Sequence, residues 1–486
     1  MPETNDKITA PAVAYMAMED RWQLITDLLG GTLAMRENAH RWLPQEPKEH
    51  DVVYRNRVSR TVLFEAFGQT VRVLRSTPFK KPVHLSEDTD ERIKELEDNV
   101  DLGGTSLGAF AEDCLDDCLG YGLAHILTDF PDLAGLQEQR GVPFTLADET
   151  SMGLRAYLVR IPPPNLFSWA GGRRGGGESL DEIRFFDSRL ERKGDFGQEV
   201  VRLVRVYRPN LWQVWAESDK DEWVLESEGV NTLGKVPLTT VYVNREGLLV
   251  ADPPLEALAW LNLRHWQSQS DQDNILHIVR VPQLFGAGFA EGTLTGASIG
   301  PNSVLSSPDP TAKLSYIEHS GKGIEAGLND LKDLRERMRI VGARMLVQMP
   351  GNQTATAKAI DTASSDSELQ AIVRRLEQGL EKALALAAEW QGWGDDVNID
   401  VQIDQDFGLA INETSDLEVL KAARQNLDID QGTFLEEIQR RGVLAPGRDL
   451  EDVMEKTQEE EANAPQPLPF PAPVPPPAEE EEEEEG

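Results

Sequence analysis

The sequence predicts an α+β protein that is mainly helical. Two long amphipathic helices are predicted near residues 324–348 and 365–390, and short β-like segments cluster within residues 154–244. Hydrophobic residues make up 40% of the 486-residue chain, which is typical of globular proteins. The length suggests two to four structural units and is ample for a large core.

Helical signals dominate the N-terminal region. Apolar residues at helical spacing cover residues 15–85, and a charged helix is predicted over residues 89–100. Thr105 or Ser106 can cap the helix that follows.

The only two cysteines, Cys114 and Cys118, lie one turn apart on the apolar face of that helix. Such a position favours buried thiols, because free cysteine behaves as a small hydrophobic residue. We therefore expect reduced cysteines rather than a metal pair or a disulfide.

β-like patterns occupy the middle of the chain. A buried strand is predicted over residues 122–131, where Pro131 stops it. Pro209 and Asn210 favour a hairpin turn between two later strands. The shorter predicted strands cover residues 157–161, 183–186, 200–207, 211–215 and 236–243.

A glycine-rich segment, residues 171–177, contains Arg173 and Arg174. Glycine beside arginine suggests a phosphate-binding loop, but the Gly-Lys-Ser/Thr ending of such a loop is missing. An exposed β-loop is the favoured interpretation.

A helix is predicted over residues 252–279, with Asp252 as its cap and Pro253 at its first position. Its second half, residues 267–274, is polar on every side. Such a helix either bridges solvent or packs laterally against copies of itself. Short runs separated by Gly and Pro then fill residues 280–323, which form a compact excursion before the next long helix.

The next two helices are the strongest signals in the chain. The first has one apolar stripe in steps of three and four, which Met349, Pro350 and Gly351 end. The second begins at Ser365 and Glu368, which have the spacing of a capping box. The stripe of the first helix consists of Ile324, Leu328, Leu331, Leu334, Met338, Val341 and Met345.

The C-terminal part changes character twice. Alternating apolar residues over residues 397–403 predict a half-exposed strand, and helices are predicted from Ser415 and over residues 430–441. Beyond about residue 461 the chain is rich in proline and ends in glutamates 479–485. This tail has too little apolar surface to fold and is predicted to be disordered.

Net charge limits the classes of function. The chain has 48 basic and 84 acidic residues, a net charge of −36, to which the terminal glutamates contribute only seven. Long-range repulsion disfavours an ordinary DNA-binding module, but not a protein past which DNA slides. On charge alone, a very soluble acidic protein is the favoured interpretation. With no membrane-length apolar run and no secretory signal pattern, we expect synthesis in the cytoplasm and no membrane contact.

Candidate catalytic groups do not form a recognisable set. His265, Ser268 and Asp271 share a helix, but no nucleophile turn or oxyanion hole accompanies them. His125 and Asp129 share one strand face, and a metal site needs more ligands than two. We expect no catalytic residues, no metal and no cofactor. An enzyme using nucleotide is the least favoured alternative.

The order of elements resembles the portal protein, or head-to-tail connector, of tailed double-stranded DNA bacteriophages. The resemblance covers about residues 22–444 and depends on order and spacing rather than on one diagnostic motif. The segments that carry it are residues 42–44 (WLP), 99–107 (NVDLGGTSL), 128–131 (TDFP), 252–255 (DPPL), 261–268 (LNLRHWQS) and 354–357 (TATA).

The resemblance implies a portal fold that forms a ring, usually of twelve subunits, at one capsid vertex. Its parts would be a wing over residues 1–251, a first stem helix over 252–279, a clip over 280–323, a second stem helix over 324–348, a tunnel loop over 349–364, a long wing helix and strand over 365–414, a helical crown over 415–460 and the disordered tail over 461–486.

The implied function is a non-enzymatic channel through which double-stranded DNA is packaged and ejected, without sequence specificity. The implied partners are the terminase large subunit, the major capsid and scaffolding proteins, and a neck or tail adaptor. The protein would assemble in the bacterial host cytoplasm and remain in the virion. Another virion structural protein, such as a neck adaptor or minor capsid protein, is the alternative.

The resemblance also implies two groups of site residues. A tunnel loop would face DNA through Gln353, Thr354, Thr356 and Lys358, unless the segment is a plain connection between helices. Lys332, Arg335 and Arg339 would line the channel as part of a basic belt. Pairing with carboxylates on the same helix is the favoured interpretation of these cations, and contact with a neighbouring subunit is the other alternative.

Overall fold

The computed structural model describes residues 7–132, 137, 152–174, 177–218, 222–280, 283–289, 309–317, 322–345, 367–394, 397–405, 421–422, 424–425 and 430–440. The chain divides into two compact units, residues 1–407 and residues 408–486. The prediction of mixed helices and strands is confirmed.

The first unit contains most of the described helices. They are α1 (Val13–Leu29), α2 (Gly31–Glu37), α3 (Ala39–Trp42), α4 (Asp51–Arg60), α5 (Ala66–Ser76), α6 (Glu91–Lys94), α7 (Leu107–Tyr121), α8 (Glu256–Val279), α9 (Lys322–Ala343) and α10 (Glu368–Trp390), with short 3₁₀ helices at Pro78–Lys80 and Pro163–Asn165. In the second unit, α11 (Gln431–Arg440) begins after Asp430, whose carboxylate accepts a 2.9 Å hydrogen bond from the Thr433 amide.

The strands form antiparallel sheets. They are β1 (His84–Leu85), β2 (Leu123–Asp129), β3 (Tyr157–Ile161), β4 (Ser168–Arg174), β5 (Gly177–Lys193), β6 (Gly197–Arg208), β7 (Leu211–Glu217), β8 (Trp223–Gly229), β9 (Leu238–Tyr242), β10 (Arg245–Gly247), β11 (Val250–Ala251), β12 (Gln283–Ala287), β13 (Lys313–Ile317) and β14 (Val401–Gln402). One sheet has the order β3-β2-β9, and a larger one has the order β4-β5-β6-β7-β8.

The main core lies among α1, α5, α7, α8 and α10. Each contributes a side chain with almost no exposed surface: Trp22, Phe67, Leu115, Trp266 and Leu376. β2 is buried along its whole length, because Ile126 faces this core and Leu127 packs with residues of the five-stranded sheet. The three-stranded sheet therefore connects the helical core to the larger sheet.

The cysteine helix α7 follows its predicted pattern. Ser106 is the cap, since its hydroxyl accepts from the Ala109 amide at 3.3 Å. Cys114 and Cys118 are free and fully buried, as predicted, and burial raises the pKa of both thiols. Gly122 ends the helix at φ 84°, where a Cβ atom would lie 2.6 Å from the carbonyl oxygen of Asp252.

The β-rich region is more regular than predicted. Arg208 pairs with Leu211 across the expected Pro209-Asn210 turn, which is confirmed. The predicted β-loop over residues 171–177 is wrong in part, because Gly171 to Arg174 belong to β4 and pair with β5. β8 was not predicted.

Two helix boundaries differ from prediction. α8 begins at Glu256, after a turn in which the Glu256 amide donates to the Pro253 carbonyl at 3.2 Å, and the predicted cap Asp252 instead accepts from Arg21 at 3.3 Å. α10 is capped by Ser367 with Gln370, which form both hydrogen bonds of a capping box. Ser365 lies outside the described residues.

Two other predicted elements are shorter than expected. The charged helix over residues 89–100 is limited to α6, because the backbone then forms turns: the amides of Leu96 and Glu97 donate to the carbonyls three residues earlier, at 2.9 and 3.0 Å. The strand over residues 397–403 is limited to β14, which pairs with β1.

β14 has an unusual outer edge. The amides of Val401 and Ile403 donate to the carboxylates of Glu381 and Glu377 on α10, at 3.3 and 2.8 Å. Burial raises the pKa of both carboxyl groups. Helix side chains thus occupy the positions that a third strand would take.

No helix within the described ranges is both long and apolar enough to cross a bilayer. The predicted helix from Ser415 and the predicted tail fall almost entirely outside those ranges.

Candidate functional site

The two long helices α8 and α9 lie side by side and run in opposite directions. The side-chain Nε2 of Gln272 donates to the Ile324 carbonyl at 3.1 Å, and the Arg264 guanidinium lies 4.0 Å from the Asp330 carboxylate further along the pair. At Gly327 the helices approach so closely that a Cβ atom would lie 2.1 Å from the Gln272 side-chain oxygen. We call α8 and α9 the helix pair.

Two antiparallel strands, which we call the β-hairpin, lie between these two helices in the sequence. β12 and β13 pair over five residues, from Gln283 with Ile317 to Ala287 with Lys313. Phe285 is half exposed on this hairpin. The predicted excursion between the long helices is therefore β-structured where it is described, and residues 290–308 lie outside the described ranges.

Arg335, a predicted channel residue, reaches across the helix pair. Its Nε donates to Nε2 of His265 on α8 at 3.1 Å, and its guanidinium lies 5.2 Å from the centre of the Phe64 ring. Because Nε2 accepts, the proton of His265 resides on Nδ1. Burial and the neighbouring Arg335 lower the pKa of His265 to about 4. Arg335 thus connects α9 to α8 and to the segment before α5, contacts that the sequence did not predict.

All three predicted channel residues are exposed. Arg339 donates two hydrogen bonds to Glu336, at 2.7 and 3.0 Å, and Arg337 lies 2.7 Å from Asp333. Lys332 is exposed. Pairing along the helix, the alternative to a basic belt, therefore occurs at Arg339 and at its neighbour Arg337. The channel-lining role of Lys332, Arg335 and Arg339 stays a prediction.

The polar half of α8 is partnered inside the chain. The side-chain Nε2 of Gln267 donates to the Trp42 carbonyl at 2.6 Å, and the Thr61 hydroxyl donates to the Ser270 hydroxyl at 2.9 Å. Ser270 is 1% exposed. The interpretation that this half bridges solvent or packs against other copies is therefore wrong for these residues, because the partners lie about two hundred positions earlier in the sequence.

The helix pair also exposes apolar side chains. Trp260 and Ile275 on α8 are 45% and 38% exposed, and Leu328 and Ile340 on α9 are 44% and 46% exposed. Exposed apolar residues mark an interaction surface where they form a contiguous patch.

The predicted DNA-facing residues Gln353, Thr354, Thr356 and Lys358 all lie outside the described residues. The structure therefore gives the bounds of the segment, between α9 and α10, and the tunnel loop stays a prediction.

Polar groups that invited a catalytic or metal interpretation have other partners. His125 shares a 2.9 Å hydrogen bond with Thr240, and burial lowers the pKa of its ring to about 3. The Asp129 carboxylate accepts from the hydroxyls of Tyr157 and Tyr207, both at 3.0 Å, so it joins the two sheets. Asp271 lies 3.8 Å from Arg57. Within the described ranges, no group of three or more potential ligands is placed to hold a metal ion.

One family matches part of the chain. A domain of unknown function, DUF4055, matches residues 254–391, which span α8, the β12–β13 hairpin, α9 and α10. The match covers less than half of the chain. No curated protein matches.

Three solved structures are similar at 11% sequence identity. A chain from the neck of an empty GTA particle, computed with C6 symmetry, has a TM-score of 0.41 over 77% of this chain and 88% of that chain. A chain from the virion of a native gene transfer agent (GTA) particle scores 0.37 over 79% and 88%. A chain from the neck of the native particle, with C12 symmetry, scores 0.39 over 83% and 97%. Scores of this size assign neither a fold nor a function.

Proposed function

We propose that the chain is a phage portal protein. In this proposal twelve copies form a ring at one capsid vertex, and double-stranded DNA passes through the ring during packaging and ejection. The ring recruits the terminase large subunit and later a neck or tail adaptor, and it contacts the major capsid and scaffolding proteins during assembly. It carries out no catalysis and needs no cofactor.

The observation that carries the proposal is the antiparallel helix pair with a β-hairpin between its two helices. A helix of 22 residues such as α9 is about 33 Å long at 1.5 Å per residue, enough to form the wall of a channel. If the pairs of successive copies stand side by side, every hairpin points to the same end of the ring. That end then presents a repeated surface to a motor or an adaptor.

The exposed apolar residues of the helix pair support contacts between copies. A closed ring uses two different patches of each subunit, so one face of a copy meets another face of the next. Trp260 and Ile340 supply contact area on α8 and α9. Aromatic anchors commonly dominate such contacts.

The charge of the chain supports passage rather than tight binding of DNA. A protein that neutralises many phosphates binds DNA strongly, and every contact would have to break as DNA moves. A net charge of −36 opposes such binding. In the proposed tunnel loop, Gln353, Thr354, Thr356 and Lys358 would make brief backbone contacts without reading bases.

Native mass spectrometry with negative-stain imaging tests the ring. We expect a closed assembly with an axial hole and a mass near twelve times that of the 54.0 kDa chain. Trp260→Ala should shift the population toward smaller species, whereas Leu190→Ala, an exposed apolar residue on β5, should not. A stable dimer with a closed centre would contradict the proposal, as would a ring unaffected by any substitution on the helix pair.

A further inference from the structure

A groove lined by aromatic side chains lies outside the helix pair, since none of its lining residues belongs to α8 or α9. It has a volume of about 1030 Å³ and is bordered by the ends of α10 and β2, the α6 region, and strands β7 and β8. Its aromatic wall consists of Phe130, Trp212, Trp390 and Trp393. We call it the indole groove.

The aromatic rings of the indole groove are held in place. Phe130 and Trp390 stack with centroids 5.9 Å apart and an interplanar angle of 28°. The Arg92 guanidinium lies 5.0 Å from the centre of the Trp393 ring and is fixed by hydrogen bonds of 2.6 and 2.9 Å to Asp90. The groove is therefore preformed, which reduces the entropy lost when a ligand binds.

Gly229 gives Trp212 its position. The two residues are register partners on β8 and β7, and a Cβ atom at Gly229 would lie 2.6 Å from the Trp212 ring. The indole therefore lies across the strand where only glycine leaves room. A substitution at Gly229 would displace this ring without removing it.

The groove offers hydrogen-bond donors that lack acceptors. The buried side-chain nitrogen of Gln391 has no partner among the described residues. The indole N–H groups of Trp212, Trp390 and Trp393 have none recorded within the same ranges. A ligand that supplies carbonyl oxygens would satisfy these donors.

A proline-rich peptide has this chemistry. Proline lacks an N–H, and its fixed φ favours polyproline II, an extended helix with solvated carbonyls. Aromatic grooves recognise such peptides because the preformed helix loses little entropy on binding. The chain itself contains such a sequence, since eight of the thirteen residues 465–477 are proline. In polyproline II these residues would span about 40 Å at 3.1 Å per residue.

We propose that the indole groove of one copy binds the proline-rich segment 465–477 of a second copy. The choice of a second copy rests on the ring proposed above, whereas recognition of the segment by the groove does not. In a ring, each copy would give its segment to one neighbour and accept one from the other, a contact of the heterologous kind.

Photocrosslinking in the full-length protein tests this inference. Val230 is 73% exposed at the groove rim, so a photoreactive amino acid is placed there in ¹⁵N-labelled protein. This protein is mixed with unlabelled protein before assembly and irradiated. Cleavage after glutamate releases residues 462–479 as one peptide, since acidic residues flank but do not interrupt it. The expected product joins the labelled groove peptide to the unlabelled segment.

Each outcome has a separate meaning. Crosslinks to the segment only within one isotopic species overturn the second-copy assignment and leave the groove as the site. A monomeric protein that crosslinks an added synthetic 465–477 peptide shows that the ring failed while recognition held. Crosslinks that map to other parts of the chain, with none to the segment, overturn recognition itself.

Variants on both sides of the contact sharpen the test. Trp393→Ala and Gly229→Ala should each lower the crosslink yield about tenfold, the effect expected for an anchor residue. Trp215→Phe is the matched control, because Trp215 donates to Gln213 and does not line the groove. Replacing Pro467, Pro469 and Pro471 by alanine should lower the yield equally and leaves the folded groove untouched. An unchanged yield in this last variant would overturn the proposal.

Discussion

Arg335 contacts two other parts of the chain through one guanidinium. It lies on α9, donates to His265 on α8 and lies over the Phe64 ring before α5. Arg335, which the sequence predicts to face DNA in the channel, therefore also holds neighbouring parts of the chain together. If a substitution of Arg335 lowers function, the stability of the variant must also be measured to separate the two roles.

The first prediction separates these roles. Arg335→Ala should lower the free energy of unfolding by about 1–2 kcal/mol, because a hydrogen bond and a cation–π contact are lost. Arg337→Ala, which removes an exposed ion pair, should change it by less than about 0.5 kcal/mol. Urea denaturation of both variants measures the difference. Equal effects would contradict the contact described for Arg335.

The second prediction concerns two neutral histidines. Burial lowers the pKa of His125 to about 3 and that of His265 to about 4, against about 6.5 in the unfolded chain. Between pH 6.5 and 4 the unfolded state therefore binds more protons, and stability falls as the pH falls. Each histidine should contribute a slope of up to about 1.4 kcal/mol per pH unit.

Denaturation of variants at several pH values checks this slope. His265→Gln should flatten the pH dependence by the share of one histidine. An unaltered slope in His265→Gln would show that the ring is protonated in the folded state.

At the scale of elements, the capping box of α10 gives a third prediction. Ser367→Ala should cost about 1 kcal/mol, because its hydroxyl accepts from the Gln370 amide at the helix start. Ser365→Ala replaces the cap that the sequence suggested and should cost little. Chemical denaturation of the two variants distinguishes the assignments, and a larger effect at Ser365 would reverse them.

Two glycines in long helices give a fourth prediction. At Gly379 on α10 a Cβ atom would lie 2.3 Å from a methyl group of Val241, a side chain with little freedom to move. Gly379→Ala should therefore destabilise the protein by about 1–3 kcal/mol through overpacking. At Gly327 the obstacle is the flexible end of Gln272, so Gly327→Ala should cost much less. Thermal unfolding compares the pair, and equal melting temperatures would contradict the reasoning.

Periodic patterns within one element were readable from the sequence. The helical spacing of apolar residues located α9 and α10, and the alternation and turn residues located β6 and β7. The sequence does not predict β8, because its residues, WVLESEG, lack an alternating apolar pattern and are largely exposed. The sequence places the cap of α10 two residues early, because both serines have a capping-box partner three positions later: Glu368 follows Ser365, and Gln370 follows Ser367.

The candidate site was less predictable, because its contacts join distant parts of the sequence. The polar half of α8 has no internal pattern that identifies Trp42 and Thr61 as partners. The contact of Arg335 with His265 and Phe64 likewise depends on how three elements pack. The order of helix, compact excursion and helix was evident from the sequence, but the pairing of β12 with β13 was not.

At the scale of the whole molecule, charge gives the fifth prediction. If the chain is a conduit past which DNA slides, purified protein should bind double-stranded DNA weakly at 50 mM salt. It should also lose far less affinity by 200 mM than the 10³-fold or more expected for a protein with six to ten phosphate contacts. Filter binding at the two salt concentrations measures this. Tight, strongly salt-dependent binding would contradict the proposed passage of DNA.

The edge of β14 has a consequence for crowded assemblies. An open strand edge invites pairing with another chain, which leads to aggregation. Glu377 and Glu381 already accept from the amides of Ile403 and Val401, so an incoming strand would find those donors taken. An edge covered by side chains of its own helix does not accept an added strand, so many copies can gather at high local concentration without β-augmentation at this edge.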